Sequence, residues 1–280
     1  MALSNLQQRL LTAAVAVPLL ILLFWLGSLW FLALVLFVIF VGMSEFYHLV
    51  EAKGLQPQRW LGTVAALGLG VNAFYGNPNY AALILTAAVL ACLAFQLFRL
   101  DLTTAVTGTA TTILGVIYVG WLLSHFVLLR NWPDASGEHD LGFFLVILTI
   151  ATTFLADAGA YFTGRSLGKH KLWPRISPSK TWEGAVGGVL VGSLGLLATK
   201  LVFDRFIFPT HFPWYHALIL GPLLVVVSIF GDLAESMLKR DAGIKDSGTI
   251  VPGHGGILDR LDSILFVVPT AYYYLVAFVY

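Results

Sequence analysis

Residues 231–263 read GDLAESMLKRDAGIKDSGTIVPGHGGILDRLDS and stand between two long apolar runs. Ten of these 33 residues are charged, in a chain of 280 where charged residues make up 11% and hydrophobic ones 58%. Such a composition lies far from that of soluble globular domains. A membrane span needs about 20 apolar residues, and outside this stretch the chain is largely a succession of such runs. The expected fold is all-α: a polytopic integral membrane protein. An ionisable group at membrane depth is expensive unless it pairs, binds an ion or lines a wet cavity, so the charged stretch is where chemistry is expected.

Within the stretch, Asp232, Glu235, Ser236 and Lys239 lie at i, i+3, i+4 and i+7, one face of a helix. Asp259 and Asp262 repeat the spacing at i and i+3. Between them Pro252-Gly253-His254-Gly255-Gly256 cannot continue a regular helix, and its glycines let backbone N–H groups approach a ligand. Carboxylates on both sides of such a loop suit a hard divalent cation that keeps sites for water and substrate phosphate. Lys239, Arg240, Lys245 and Arg260 would meet the remaining phosphate charge. A loop that only anchored topology would need positive charge and not paired aspartates.

Further out, polar breaks fall at 27–28, 51–58, 76–79, 99–104, 130–140, 164–183, 204–213 and 239–256. Eight breaks imply about nine transmembrane helices, although 10–50 could also hold one long helix or a re-entrant pair. With a cytoplasmic N-terminus, thirteen Lys and Arg fall on the cytoplasmic side and three (Arg130, Lys200, Arg205) on the other, the expected positive-inside bias. The first run, 10–26, reads as a retained span and not a cleaved signal. The net charge of +1 gives no electrostatic case for nucleic acid as a partner. Cys92 is the only cysteine, which excludes an intrachain disulfide and a cysteine zinc cluster. No G-x-x-x-x-G-K-S/T segment is present, against a P-loop nucleotide site.

Region 1–130 carries little that is chemical and reads as scaffold. Glu45 and His48, at i and i+3 near a helix end, are expected to pair or snorkel. His125, His211 and His216 read as interfacial, and Trp132, Trp214 and Tyr215 suit an aromatic belt. The catalytic part is expected in 141–280, with cytoplasmic loops 164–183 and 239–256. There Asp157 sits well inside an apolar run, where a carboxylate needs a cation or a wet cavity. The next loop, 164–183, carries five Lys and Arg. Thr181 to Gly184 reads as a helix start, whose positive dipole end favours phosphate. Gly184, Gly188 and Gly192, with Gly187 and Gly195 beside them, form a stripe for close helix packing.

Three of these segments resemble the phosphatidate cytidylyltransferase family, the membrane enzymes that make CDP-diacylglycerol. Ser236 to Asp262 reads S-x-L-K-R, K-D-x-G, P-G-H-G-G and D-R-x-D; Asp157 to Arg165 reads D-x-G-A-Y-x-x-G-R. Ser177 to Gly184 is similar to the family's S-P-K-K-T-x-E-G, departing at Ser179, where a lysine is usual. The resemblance implies CTP and phosphatidate as substrates in the bilayer, magnesium as cofactor with a second, monovalent ion left open, and a homodimer. Under it Asp232 and Asp259 are the principal magnesium ligands, with Asp157, Glu235 and Asp262 also as metal candidates and Asp246 as a second-ion candidate. Lys180, Lys239, Arg240, Lys245 and Arg260 are assigned to the phosphates, Ser177 and Thr181 to anion binding, and His254, Gly255 and Gly256 to a backbone cradle. The expected location is the cytoplasmic (inner) membrane with the active site on the cytoplasmic face. Another lipid nucleotidyltransferase, a CTP-dependent lipid kinase and a cation-coupled transporter are the competing readings.

Overall fold

The computed structural model describes residues 5–99, 103–133, 140–248 and 255–279. Among them each expected break separates two helices: α1 (Asn5–Leu26), α2 (Ser28–Ala52), α3 (Arg59–Tyr75), α4 (Pro78–Gln96), α5 (Ala105–Gly115), α6 (Leu122–Arg130), α7 (Leu141–Leu167), α8 (Trp182–Val202), α9 (Trp214–Asp241), the single turn α10 (Leu258–Leu261) and α11 (Ile264–Phe278). A π-helical segment, Val116–Trp121, joins α5 to α6 without a break, and a second, Phe203–Ile207, extends α8. The shortest break is Gly27, whose φ of 57° is in the region that favours glycine.

The chain is a multi-pass helical membrane protein, with fewer clear spans among the described residues than the nine expected. Among the described residues six helices are long and apolar enough to cross: Ser28–Ala52, Pro78–Gln96, Ala105–Arg130, Leu141–Leu167, Trp182–Ile207 and Trp214–Asp241. Ala14–Leu26 and Ile264–Phe278 are apolar but shorter. At 1.5 Å per residue the 17 residues of α3 reach about 25 Å, short of a hydrocarbon core of about 30 Å. The all-α expectation also omits a small antiparallel hairpin, β1 (Lys171–Trp173) with β2 (Ser177–Thr181), between α7 and α8.

Two compact units form. One comprises residues 1–128 with 238–261, the other 129–237 with 262–280. In the first, α2 is the centre: Ile39, Met43, Phe46 and Tyr47 are fully buried. Tyr47 donates its hydroxyl to the carbonyl of Thr112 at 3.1 Å, and Gln58 donates its side-chain amide to that of Cys92 at 2.9 Å. Segment 238–261 joins this unit because Leu258 packs against Gly42 of α2, a Cβ on which would stand 3.4 Å from Leu258 Cδ2. His125, expected at an interface, is fully buried and bonds Trp121 O through Nδ1.

In the second unit α7 and α8 pack backbone against backbone. A Cβ on Gly192 would stand 2.8 Å from Ala156 Cβ, and one on Gly188 3.1 Å from the carbonyl of Ala156. The expected glycine stripe is thus a packing surface, where small residues let helices approach. Helix α9 joins through Gly221, a Cβ on which would stand 3.0 Å from Ser193 Cα, and through Val225 against Gly192. His216, also expected at an interface, is buried with Nδ1 2.9 Å from the Tyr274 hydroxyl.

Candidate active site

In the unit of residues 129–237 and 262–280, a cavity of about 500 Å³ opens among α7, the hairpin, the start of α8, and α9. Its polar lining includes Asp157, Arg165, Lys180, Thr181, Ser228 and Asp232, and its apolar lining includes Ala156, Ala160, Leu172, Val225 and Ile229. A mixed cavity of that size holds a small ligand while a few polar groups orient it.

Local rules place each group. The side chain of Thr181 accepts the Gly184 N–H at 3.1 Å and so caps α8. That fixes the junction of strand and helix one residue after Lys180, whose ammonium pairs with Asp232 of α9. Glu183, one residue into α8, accepts the backbone N–H groups of Lys169 and His170 and the His170 ring, tying the hairpin's entry to its exit. On α9, a Cβ on Gly231 would lie 2.6 Å from the Asp262 carbonyl, so the turn that carries Asp262 sits against the helix next to Asp232. Ser236 donates its hydroxyl to Asp232 at 3.3 Å.

The electrostatics follow from this crowding. Burial first, then the neighbouring Asp232 and Asp157, push the Asp262 carboxyl up to about 7, although the Ser263 N–H and Lys180 oppose them. Three carboxylates in one another's field form an oxygen donor set that favours a positive charge, and Lys180 supplies one. A hard cation such as magnesium uses one or two carboxylates and keeps water and phosphate oxygens, so this donor set fits it. Among the described residues no three His, Cys, Asp or Glu side chains stand close enough to cage an ion unaided. Glu235 is buried on the same helix.

The other expected residues lie in the unit of residues 1–128 and 238–261. Asp259 accepts from Lys239 Nζ at 2.7 Å, the Ser247 N–H at 3.0 Å and the Gly256 N–H at 2.9 Å. Burial would raise its carboxyl, but Lys239 and the two amides outweigh it and hold the group at about 2. Gly255 takes φ of +84°, and a Cβ there would stand 2.9 Å from Asp259 Oδ2. Gly256 gives its N–H to Asp259, so that amide is committed within the protein. Arg240, Lys245, Asp246 and Arg260 are exposed, and His254 lies outside the described residues. Ser177 pairs with Trp173 in the hairpin of the other unit.

Sequence reasoning missed the partner of this loop. Glu45 of α2 neither snorkels nor pairs with His48. It is buried, and its carboxylate accepts from the Ser247 hydroxyl at 3.2 Å and the N–H groups of Ile257 and Leu258 at 3.0 and 2.8 Å. Glu45 is the one acidic or basic side chain in the apolar run of 28–47, the same signal that singled out Asp157.

Fold and cavity together define a class: a polytopic helical membrane protein with a charged cavity suited to anionic ligands. Comparison with known proteins narrows it. Residues 7–278 match the Cytidylyltransferase family. A phosphatidate cytidylyltransferase of Synechocystis sp. is 35% identical over 96% of both chains. One of Bacillus subtilis is 34% identical over 98% of this chain and 99% of its own, and one of Pseudomonas aeruginosa 36% identical over 94% of both. The chain belongs to the cytidylyltransferase family and is a nucleotidyltransferase.

Proposed function

We propose that the protein catalyses CTP plus phosphatidate to CDP-diacylglycerol plus pyrophosphate. The observation that carries this reading is the Lys180–Asp232 pair beside Asp157 in the mixed polar and apolar cavity, in a chain matched to its family almost end to end. An oxygen of the lipid phosphate attacks the α-phosphorus of CTP, the bond from that phosphorus to the β-bridging oxygen breaks, and pyrophosphate departs with the bonding electrons. The attacking oxygen is already anionic, so no strong base is needed. The difficulty is bringing two polyanions together and stabilising the charge that develops.

Lys180, set by the Thr181 cap, carries a cation to the cavity and neutralises phosphate charge. Asp157, Asp232 and Asp262 are the residues that would hold magnesium there, with Glu235 on the same helix. Magnesium, when bound, supplies Lewis-acid stabilisation of the phosphoryl oxygens. Lys239, Arg240, Lys245 and Arg260 are assigned to the triphosphate and Ser177 to anion binding. The sequence couples Asp259 to Asp232 as a metal ligand; within its own unit Asp259 accepts the Ser247 and Gly256 N–H groups. Apolar lining from Ala156, Ala160, Val225 and Ile229 suits the part of phosphatidate next to its headgroup. On the positive-inside bias the site faces the cytoplasm across the inner membrane.

Purified protein given phosphatidate and CTP labelled at the α or the γ phosphorus tests this. The α label is expected in lipid and the γ label in pyrophosphate. A γ label in lipid with CDP released would make the protein a lipid kinase instead.

A further inference from the structure

Ser247, Ile257 and Leu258 all point donors at one buried carboxylate from a distant helix. Glu45 is 4% exposed and lies more than 200 residues away in sequence from each of its three donors, Ser247, Ile257 and Leu258. The approach is too close for side chains: a Cβ on Gly248 would stand 2.5 Å from Glu45 Oε1, and one on Gly256 2.6 Å from Oε2. Both glycines are therefore room for Glu45. Ser247, itself buried, links two carboxylates, giving its hydroxyl to Glu45 and its N–H to Asp259. Asp259 in turn receives Lys239 at 2.7 Å. A shift of the loop at Ser247, Ile257 or Leu258 would therefore move Asp259 and the ammonium paired with it.

We propose that Glu45 is a positioning residue for the nucleotidyl transfer: its carboxylate holds Ser247, Ile257 and Leu258 so that Asp259, Lys239 and Arg260 stand in register for the nucleotide's phosphates. The proposal rests on the cytidylyltransferase reading for its kinetic consequence but not for its structural one. A carboxylate is required because all the contacts are donors pointing at it, and it presents acceptors on both oxygens. Glutamine has the same size but turns one oxygen into an N–H group facing another donor. Aspartate has the charge but is one methylene too short to reach.

Two measurements on the full-length protein in detergent test it. Amide hydrogen exchange is expected to speed up at least tenfold at residues 255–261 in Glu45→Gln, with peptides of α7 and α8 unchanged. In steady-state kinetics Glu45→Gln is expected to raise the KM for CTP about tenfold while that for phosphatidate stays within about twofold, since a misplaced loop weakens hold on one substrate. Glu45→Asp is expected not to rescue. Ser247→Ala, which removes one donor and spares Glu45, is expected to show the same bias at about two- to fivefold, and it carries the test if Glu45→Gln does not fold. Wild-type exchange and a wild-type KM for CTP in these variants would overturn the proposal. So would equal loss toward both substrates with faster exchange everywhere, which marks general destabilisation. Should the wild type turn over no CTP, the enzymatic reading fails, while the exchange measurement still decides whether Glu45 holds the loop.

Discussion

Lys180, at the end of the β2 strand, places its ammonium against the carboxylate of Asp232 on α9, and both side chains remain partly open, at 23% and 30% exposure. An ion pair with that much access to water adds little to stability, about 1 kcal/mol or less. Its value is in presenting a cation inside a cavity that also holds Asp157. Lys180→Met is therefore expected to lower turnover by about two orders of magnitude, the scale of removing one group that stabilises developing charge. Its thermal midpoint should stay close to wild type. A midpoint lost together with activity would make Lys180 a structural residue.

The cap beneath Lys180 can be tested separately. Thr181→Ala removes the side-chain acceptor for the Gly184 N–H and is expected to cost about 1 kcal/mol, whereas Thr181→Ser keeps the oxygen and most of the stability. Denaturant or thermal unfolding in one detergent compares the two. Equal loss in both would mean that the hydroxyl is not what holds the helix start.

Much of the unit that carries the cavity could be read from the sequence because its signals are local. The Thr181 helix start, the glycine stripe of α8 and the isolated Asp157 each depend on a few neighbouring residues. The lysine that meets Asp232 was legible as a cation but not as its partner, since that contact joins a hairpin to a later helix. Glu45 illustrates the limit: an acid in an apolar run marks itself, yet the donors that satisfy it come from 202 to 213 residues away. Gly256 beside it reads, with His254 and Gly255, as a phosphate cradle for the same reason. The Gly255-Gly256 pair announces close approach, and the fold places Glu45 and Asp259 carboxylates against it. The hairpin was hidden because a three-residue strand carries too few residues to show a period.

The stripe makes a packing prediction with an internal control. A Cβ at Gly192 would stand 2.6 Å from Val225 Cγ2 and 2.8 Å from Ala156 Cβ. Gly192→Ala is therefore expected to destabilise by about 1–3 kcal/mol through overpacking. At Gly68 the nearest atom is 3.7 Å away, so Gly68→Ala is expected to be neutral or to gain up to about 1 kcal/mol from helix propensity. Unfolding of both variants checks the contrast, and equal effects would contradict the packing described.

Two aspartates titrate with opposite sign. Asp262, raised to about 7, keeps a proton in the folded protein that the unfolded chain has already released, so stability falls as pH rises from about 4 to about 7. Asp259, held at about 2, refuses a proton that the unfolded chain takes up, so its contribution is full above about pH 4 and is lost as pH falls toward about 2. Thermal midpoints measured with chelator present should show both slopes. Asp262→Asn should flatten the first and Asp259→Asn the second. Slopes unchanged by these substitutions would place the titrations elsewhere.

If the carboxylates around this cavity hold a divalent cation, a binding titration that does not depend on turnover detects it. Mn²⁺, followed by electron paramagnetic resonance as a stand-in for magnesium, is expected to bind the wild-type protein saturably at about one ion or more per chain and to compete with Mg²⁺. Asp232→Asn and Asp157→Asn are each expected to weaken that binding at least tenfold while the protein stays folded. Undiminished Mn²⁺ binding in both variants would contradict the account.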